Sequence, residues 1–348
     1  MQQVYRGICL LPVLADGIVV FDEVHSFDVG MFDALKKFLD RFDIPVLCMT
    51  ASLPAPRRRQ LEELGLQVFT GEGLEDLDRL ARLPRYHVAC LPSDDGAEAR
   101  ARTAVAAGKR VLWVVNTVDR CQEQTQRLRK LNPICYHSRF TLDDRKDRHA
   151  RVVGAFQSDE AKGLLAITTQ VCEMSLDLDA QVLISEQAPI PSLIQRMGRC
   201  NRHAKPDSDT PGEVYFYPPD SDAPYGPDQL ERVASFLEDI DGTDTSQERL
   251  EELLEHYSRH GGSEGDRWAA FIDDGAWACG GAEELRDSPD FTVQAVIDLD
   301  EYLRLAGLRE PTDGLIVPVP KYLAKRDPGS RATFDQHRRT TTTHPWVS

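Results

Sequence analysis

Two neighbouring acids, Asp22 and Glu23, follow directly on the apolar run Gly17-Ile18-Val19-Val20-Phe21. A run rich in β-branched residues that ends in carboxylates reads as a buried parallel strand, delivering acids to the edge where open α/β sheets bind ligands. There Asp22 can hold Mg²⁺ through water, and Glu23 can orient a water for attack on a γ-phosphate. Adjacent acids in an ordinary loop would look the same. Val24 and His25 come next, and one crossover later a second apolar run, Ile44 to Met49, ends in Thr50-Ala51-Ser52. Hydroxyls placed there can bond the imidazole of His25 and relay nucleotide state, or they form a plain loop with a helix N-cap.

Two further segments carry chemistry. Thr168 to Asp177 leaves a strand with hydroxyls, an amide and acids close together, so one end can touch a nucleic-acid phosphate and the other a nucleotide. In Gln195-Arg196-Met197-Gly198-Arg199-Cys200-Asn201-Arg202-His203, positions 195, 199 and 202 recur at about one helical turn, which predicts an amide and two guanidiniums pointing the same way. Arginines brought to a γ-phosphate from another domain neutralise transition-state charge. The other reading of the segment is a solvated basic helix. Arg139, Arg145, Lys146, Arg148 and Arg151 form the largest basic cluster, which suits either a phosphate track or an exposed helix face.

The elements that must position these residues alternate. Strand, helix and strand from Gly17 to Met49 predict a crossover in a parallel sheet. A second unit follows: helix 98–107, strand 110–115, helix 118–131, strand 134–136, helix 142–156, strands 163–168 and 181–185, helix 191–197 and strand 213–217. The resulting division is 1–75 as a partial first domain, 76–95 as a Gly-, Pro- and Asp-rich linker, and 96–218 as a complete α/β domain. An acidic, mostly helical accessory region, with a short strand at 315–319, spans 219–325. The tail 326–348 is expected to be disordered. With 348 residues, 41% hydrophobic, the chain fills several domains. It lacks an apolar run of about 18 residues or a secretory leader, so no membrane contact and a cytoplasmic location are expected. A net charge of −16 excludes indiscriminate coating of nucleic acid. The eight cysteines include no Cys-x-x-Cys pair, which argues against a zinc ribbon or a disulfide framework; Cys48 and Cys172 read as core thiols.

In this order, the segments resemble the motifs of superfamily 2 helicases. Asp22 to His25 is similar to motif II, Thr50 to Ser52 to motif III, Val114-Val115-Asn116-Thr117 to motif IV, Thr168 to Asp177 to motif V, and Gln195 to Arg202 to motif VI. More narrowly, Tyr136-His137-Ser138-Arg139-Phe140, the pairing of Thr169-Gln170-Val171 with Ser175-Leu176-Asp177, and Ala188-Pro189 ahead of Gln195-Arg196 resemble the CRISPR-associated helicase-nuclease of type I systems. The resemblance covers about residues 18–217. It implies tandem RecA-like parallel-sheet domains, the first incomplete, and an ATP- and Mg²⁺-dependent motor pulling single-stranded DNA 3′ to 5′ after a CRISPR surveillance complex opens an R-loop. By matching position it implies Asp22 for Mg²⁺, Glu23 as catalytic base, and Gln195, Arg199 and Arg202 at the γ-phosphate. His25 and Asp177 would lie near the nucleotide, and Asn116, Thr117, Ser138, Arg139 and Thr169 would face the DNA.

Two departures qualify the likeness. The 348 residues contain no Gly-x-x-x-x-Gly-Lys-Ser/Thr loop to cradle β- and γ-phosphates, and no His-Asp dipeptide for the family's nuclease domain. The expectation is therefore a fragment inactive alone, its missing N-terminal half supplied in the same or a separate polypeptide. The alternatives are another superfamily 2 DNA or RNA helicase, or a non-catalytic remnant that binds nucleic acid.

Overall fold

A computed structural model describes residues 17–24, 27, 29–50, 53, 55–69, 75–158, 163–173, 176–205, 210–258, 292–296, 304–305, 307–308, 312–320, 324–325 and 333–334. The chain divides into two units, residues 1–78 with 251–290 and residues 79–250 with 291–348.

In the first unit, β1 (Val19–Phe21) runs parallel to β2 (Val46–Cys48), with Val20 opposite Leu47. Helix α1 (Val29–Arg41) makes the crossover and α2 (Ala55–Glu63) follows. Phe32 and Leu35 recur at helical spacing and are buried with Val24 and Leu61, while Phe21 and Cys48 pack against them from the sheet. Because side chains alternate along a strand, the opposite sheet face carries Ile18, Val20, Leu47 and Met49; these are 71%, 52%, 49% and 41% exposed.

Helix α3 (Glu75–Arg82) carries the boundary between the units. The second unit is a seven-stranded sheet built from β3 (Tyr86–Cys90), β4 (Arg110–Val114), β5 (Ile134–Tyr136), β6 (Leu164–Thr168), β7 (Val182–Glu186), β8 (Gly212–Tyr217) and β9 (Asp244–Thr245), in the order β5-β6-β4-β7-β8-β3-β9. The first six are parallel, and β9 is antiparallel to β3. Helices α4 (Asp94–Ala106), α5 (Val118–Arg127), α6 (Leu142–Gln157) and α7 (Ile190–Met197) connect them. Strands β4, β6 and β7 are almost continuously apolar because both faces are covered; Trp113, Ile167, Val182 and Ile184 lie in one core, where the Trp113 indole donates to the Tyr217 hydroxyl at 2.9 Å. The architecture is the expected α/β, RecA-like parallel sheet.

The stretch read as a linker, 76–95, differs from expectation. Tyr86–Cys90 is a sheet strand hydrogen-bonded to both β8 and β9, and α4 begins at Asp94. The turn formers around it, Pro84 on one side and Pro92-Ser93 on the other, bracket a five-residue strand rather than replacing it. After β8 come α8 (Pro227–Leu230), α9 (Val233–Ile240) and α10 (Gln247–Ser258), so β9 draws part of the accessory region into the main sheet. Beyond them, β10 (Thr292–Val296) pairs antiparallel with β11 (Ile316–Pro320), and β12 (Ala324–Lys325) with β13 (Thr333–Phe334). The rest of the tail expected to be disordered lies outside the described residues. Among the described residues no helix is long and apolar enough to cross a membrane.

Candidate functional site

In the first unit, Asp22 stands one residue beyond β1 with its carboxylate exposed, and its Oδ1 accepts from the Glu23 backbone N–H at 2.9 Å. Glu23 has φ 53°, the left-handed region that costs a residue with a side chain about 1–2 kcal/mol. What holds it there is the next residue: buried Val24 donates its N–H to Met49 O at 3.2 Å, and Met49 N–H donates to Phe21 O at 2.7 Å. The acids are thereby stitched to the end of β2, one residue before Thr50. Backbone strain maintained by its surroundings is characteristic of functional turns. His25, Ala51 and Ser52 lie outside the described residues. Among the described residues no three His, Cys, Asp or Glu gather as a metal cage. Asp22 nonetheless fits Mg²⁺, which commonly rests on one or two carboxylates with waters and a substrate phosphate.

In the second unit the sheet order creates a switch point. After β4 the chain leaves for β5 on one side, and after β7 it leaves for β8 on the other, although β4 and β7 are neighbours. Ligands of open α/β sheets bind in the crevice that such a divergence opens at the carboxyl edge. Asn116, Thr117, Glu186 and Gln187 come from these two strand ends, Thr169 and Gln170 from β6, and Ser138 and Arg139 from β5.

This edge is organised by a residue that motif spacing did not single out. Arg196 on α7 is fully buried and donates to Glu173 Oε1 at 2.7 Å, Ser185 Oγ at 3.0 Å, Glu186 O at 3.1 Å, Asn116 Oδ1 at 3.1 Å and the Tyr225 hydroxyl at 3.1 Å. A guanidinium can leave water only when its fan of donors is met in this way. Gln170 closes the ring, donating to Asn116 O at 2.7 Å and to Tyr225. Beside it, buried Glu186 accepts from Asn116 N–H at 2.6 Å and pairs with Arg120, which also holds Asp220 at 2.5 Å. Burial pushes the Glu186 carboxyl above its ordinary range, against the pull of Asn116 and Arg120. The only sequence signal for this hub is that Arg196 follows the apolar Ile190–Ile194 stretch with no acid nearby on its own helix.

Several expected roles change. Asn116 and Thr169 are each 2% exposed, and the Asn116 amide is consumed by Arg196 and by Gln187 O at 2.7 Å. Neither side chain presents itself to a ligand. Thr117 caps α5 by accepting from Arg120 N–H, Ser138 is partly exposed, and Arg139 pairs with Asp119 at 2.7 Å. In the basic cluster, Arg148 turns inward onto Cys135 O at 3.2 Å and lies over the Phe140 ring at 4.1 Å.

The reading of Gln195, Arg199 and Arg202 on one helical face is corrected. Helix α7 stops at Met197 with Gly198 as its C-cap, and the chain then bridges back, with Ala180 N–H donating to Arg199 O at 2.9 Å and Asn201 N–H to Ala180 O at 2.8 Å. Asn201, at φ 48°, completes the turn. Gln195 is therefore on the helix and the two arginines on a loop. Arg199 donates to Cys172 O at 2.9 Å and Glu173 O at 2.5 Å, while Arg202 pairs with Asp177 at 3.1 Å in a solvent-facing contact. The structure thus brings together three expected site residues, Arg199, Arg202 and Asp177, with the Glu173 segment, by loop pairing rather than helical periodicity.

Comparison with known proteins adds the following. Residues 107–205 match the family of the CRISPR-associated nuclease/helicase Cas3, C-terminal. A putative CRISPR-associated nuclease/helicase Cas3 of Myxococcus xanthus (strain DK1622) is 38% identical over 258 residues, covering 72% of this chain and 34% of that protein. Among solved structures, T. fusca Cas3-AMPPNP superposes with a TM-score of 0.57 at 24% identity, covering 71% of this chain and 35% of that one. A chain of a CRISPR RNA-guided surveillance complex, pre-nicking, does so with a TM-score of 0.60 at 18% identity, covering 90% and 51%. The two structural likenesses concern the fold. The chain spans between 24% and 38% of the length of the curated relatives that it matches.

Proposed function

We propose that this chain, which is Cas3-like in sequence and in fold, supplies the stretch from the acidic pair to the arginine motif of an ATP-driven motor moving 3′ to 5′ along single-stranded DNA in type I CRISPR interference. The observation that carries the reading is the closure of Asn116, Glu173 and Arg196 on one another at the carboxyl edge of the parallel sheet. Three segments distant in sequence become one mechanical unit there, which is what a nucleotide-driven motor requires of its second domain. The M. xanthus relative's description as a nuclease/helicase and the AMPPNP in the T. fusca structure's name support the same reading.

In this proposal Glu23 takes a proton from the attacking water, Asp22 carries Mg²⁺, and Arg199 and Arg202 meet the γ-phosphate with Gln195, Asp177 and His25 nearby. Bound Mg²⁺ would neutralise phosphate charge. Thr117, Ser138 and Arg139 touch the DNA, whereas Asn116 and Thr169, being buried, shape the edge beneath it. A CRISPR surveillance complex delivers the strand. Any phosphate-binding loop comes from sequence beyond these 348 residues, in the same or a separate polypeptide.

The test is phosphate release, with and without single-stranded DNA, by the 348-residue chain and by a form completed with a phosphate-loop segment. The chain alone should hydrolyse ATP hardly at all, and the completed form should be stimulated by DNA. Glu23→Gln in that form should stop turnover while leaving nucleotide and DNA binding largely intact. Robust DNA-stimulated turnover by the chain alone would refute the assignment of the phosphate site. Stimulation by RNA but not by DNA would move the chain to another class of superfamily 2 motor.

A further inference from the structure

Cys121 on α5 and Cys135 on β5 lie with their sulfurs 3.7 Å apart, at van der Waals contact and without a bond. Cys121 is fully buried, whereas Cys135, on the edge strand β5, is only partly buried and is the more exposed residue of the pair. A disulfide needs about 2.05 Å between sulfurs, so oxidation of the pair has to draw them together from contact distance. The other described cysteines differ: Cys172 is buried and pushed up to about 12, Cys90 is pushed up to about 11, and burial also raises Cys48 and Cys200. At Cys135 the neighbouring Cys121 thiol, aided by His137 and Thr125 and opposed by burial, holds the group below the usual thiol range. The same contact pushes Cys121 up. Within the pair Cys135 is the more acidic and the more exposed residue, with Cys121 buried beside it, an asymmetry that favours oxidation starting at Cys135.

We propose that Cys121 and Cys135 are a reversible dithiol–disulfide pair oxidised by hydroperoxides, which clamps α5 to β5 immediately before the Tyr136–Arg139 segment. The Cys135 thiolate attacks the distal peroxide oxygen; an S–O bond forms, the O–O bond breaks, and the leaving oxygen takes a proton to depart as water or alcohol. The Cys121 sulfur then attacks the Cys135 sulfenic sulfur, the S–O bond breaks, and hydroxide leaves with the Cys121 proton as water. Two electrons pass from the sulfurs to the peroxide, and a thiol reductant reverses the change. The clamp acts on the β5 edge, where Cys135 also receives Arg148 on its carbonyl.

The full chain is treated with hydrogen peroxide at neutral pH, alkylated and digested with trypsin. The expected product is Cys121–Arg127 joined to Leu131–Arg139, about 2 Da lighter than the separate reduced peptides and restored by dithiothreitol. In C121S, Cys135 should stop at a sulfenic acid that dimedone traps. In C135S, where the altered residue is the more exposed of the two, Cys121 should keep its thiol under the same dose. Cys135 accumulating about 16 or 32 Da of oxygen without the linked peptide, or Cys121 oxidising equally fast in C135S, would overturn the proposal.

Discussion

Arg196 and Arg202 stand six positions apart and separate structure from chemistry. Arg196 is buried and its charge is answered by Glu173, with Asn116, Ser185 and Tyr225 taking the remaining donors. Removing one partner of a buried ion pair strands the other, so Arg196→Ala should lower stability by about 3–5 kcal/mol in urea unfolding. Arg202 pairs with Asp177 in solvent, and Arg202→Ala should change stability by less than about 1 kcal/mol. In the completed motor, however, it should reduce ATP turnover by a factor on the order of 10³ to 10⁵. Equal stability losses in the two variants would show that the pairings are misassigned. Motif spacing made Arg199 and Arg202 legible as candidates. It could not reveal the hub, because an arginine's burial depends on acceptors contributed by four segments that meet only after folding. Nor did it reveal that Gly198 ends the helix, since the recurrence of positions 195, 199 and 202 at about one turn runs straight through it.

Among the elements, those buried on both faces were the most legible. Arg110–Val114, Leu164–Thr168 and Val182–Glu186 stand within largely apolar runs, which a parallel strand covered by helices on both faces tolerates. Tyr86–Cys90 was not, because His87 interrupts the run and prolines flank it, yet it seals β8 against solvent. This difference is measurable. A fragment of residues 79–250 retains β3 and β9, while one of residues 96–218 leaves the β8 edge, including Val214 and Phe216, without its neighbour. The longer fragment should melt cooperatively and remain monomeric. The shorter should melt several degrees lower and self-associate through the unpaired edge, as exposed apolar edges do. Thermal circular dichroism and light scattering report both; indistinguishable fragments would place β3 outside the folding unit.

At the scale of the whole molecule, the two units differ in how much core each encloses. The second has a sheet covered on both faces, whereas the described part of the first has two strands with one apolar face in solvent. Two-stranded sheets are marginal by themselves, so limited proteolysis of the full chain should cut before residue 79 well before it cuts between 86 and 217. The composition helps to keep such a molecule dispersed, since a net charge of −16 opposes association, but charge does not hide an apolar face. Val20 and Leu47 lie opposite one another on that face and are about half exposed. Replacing both with threonine keeps a β-branched side chain at position 20, introduces one at position 47, as a strand favours, and removes apolar surface from solvent. Because little packing is lost at such positions, the double variant should melt within a few degrees of the parent, in keeping with surface substitutions worth about 0.5 kcal/mol. It should also scatter less light and bind less of a hydrophobic dye. A large drop in melting temperature would mean that Val20 and Leu47 are packed in solution, against self-association or another part of the chain, and that the face is already covered.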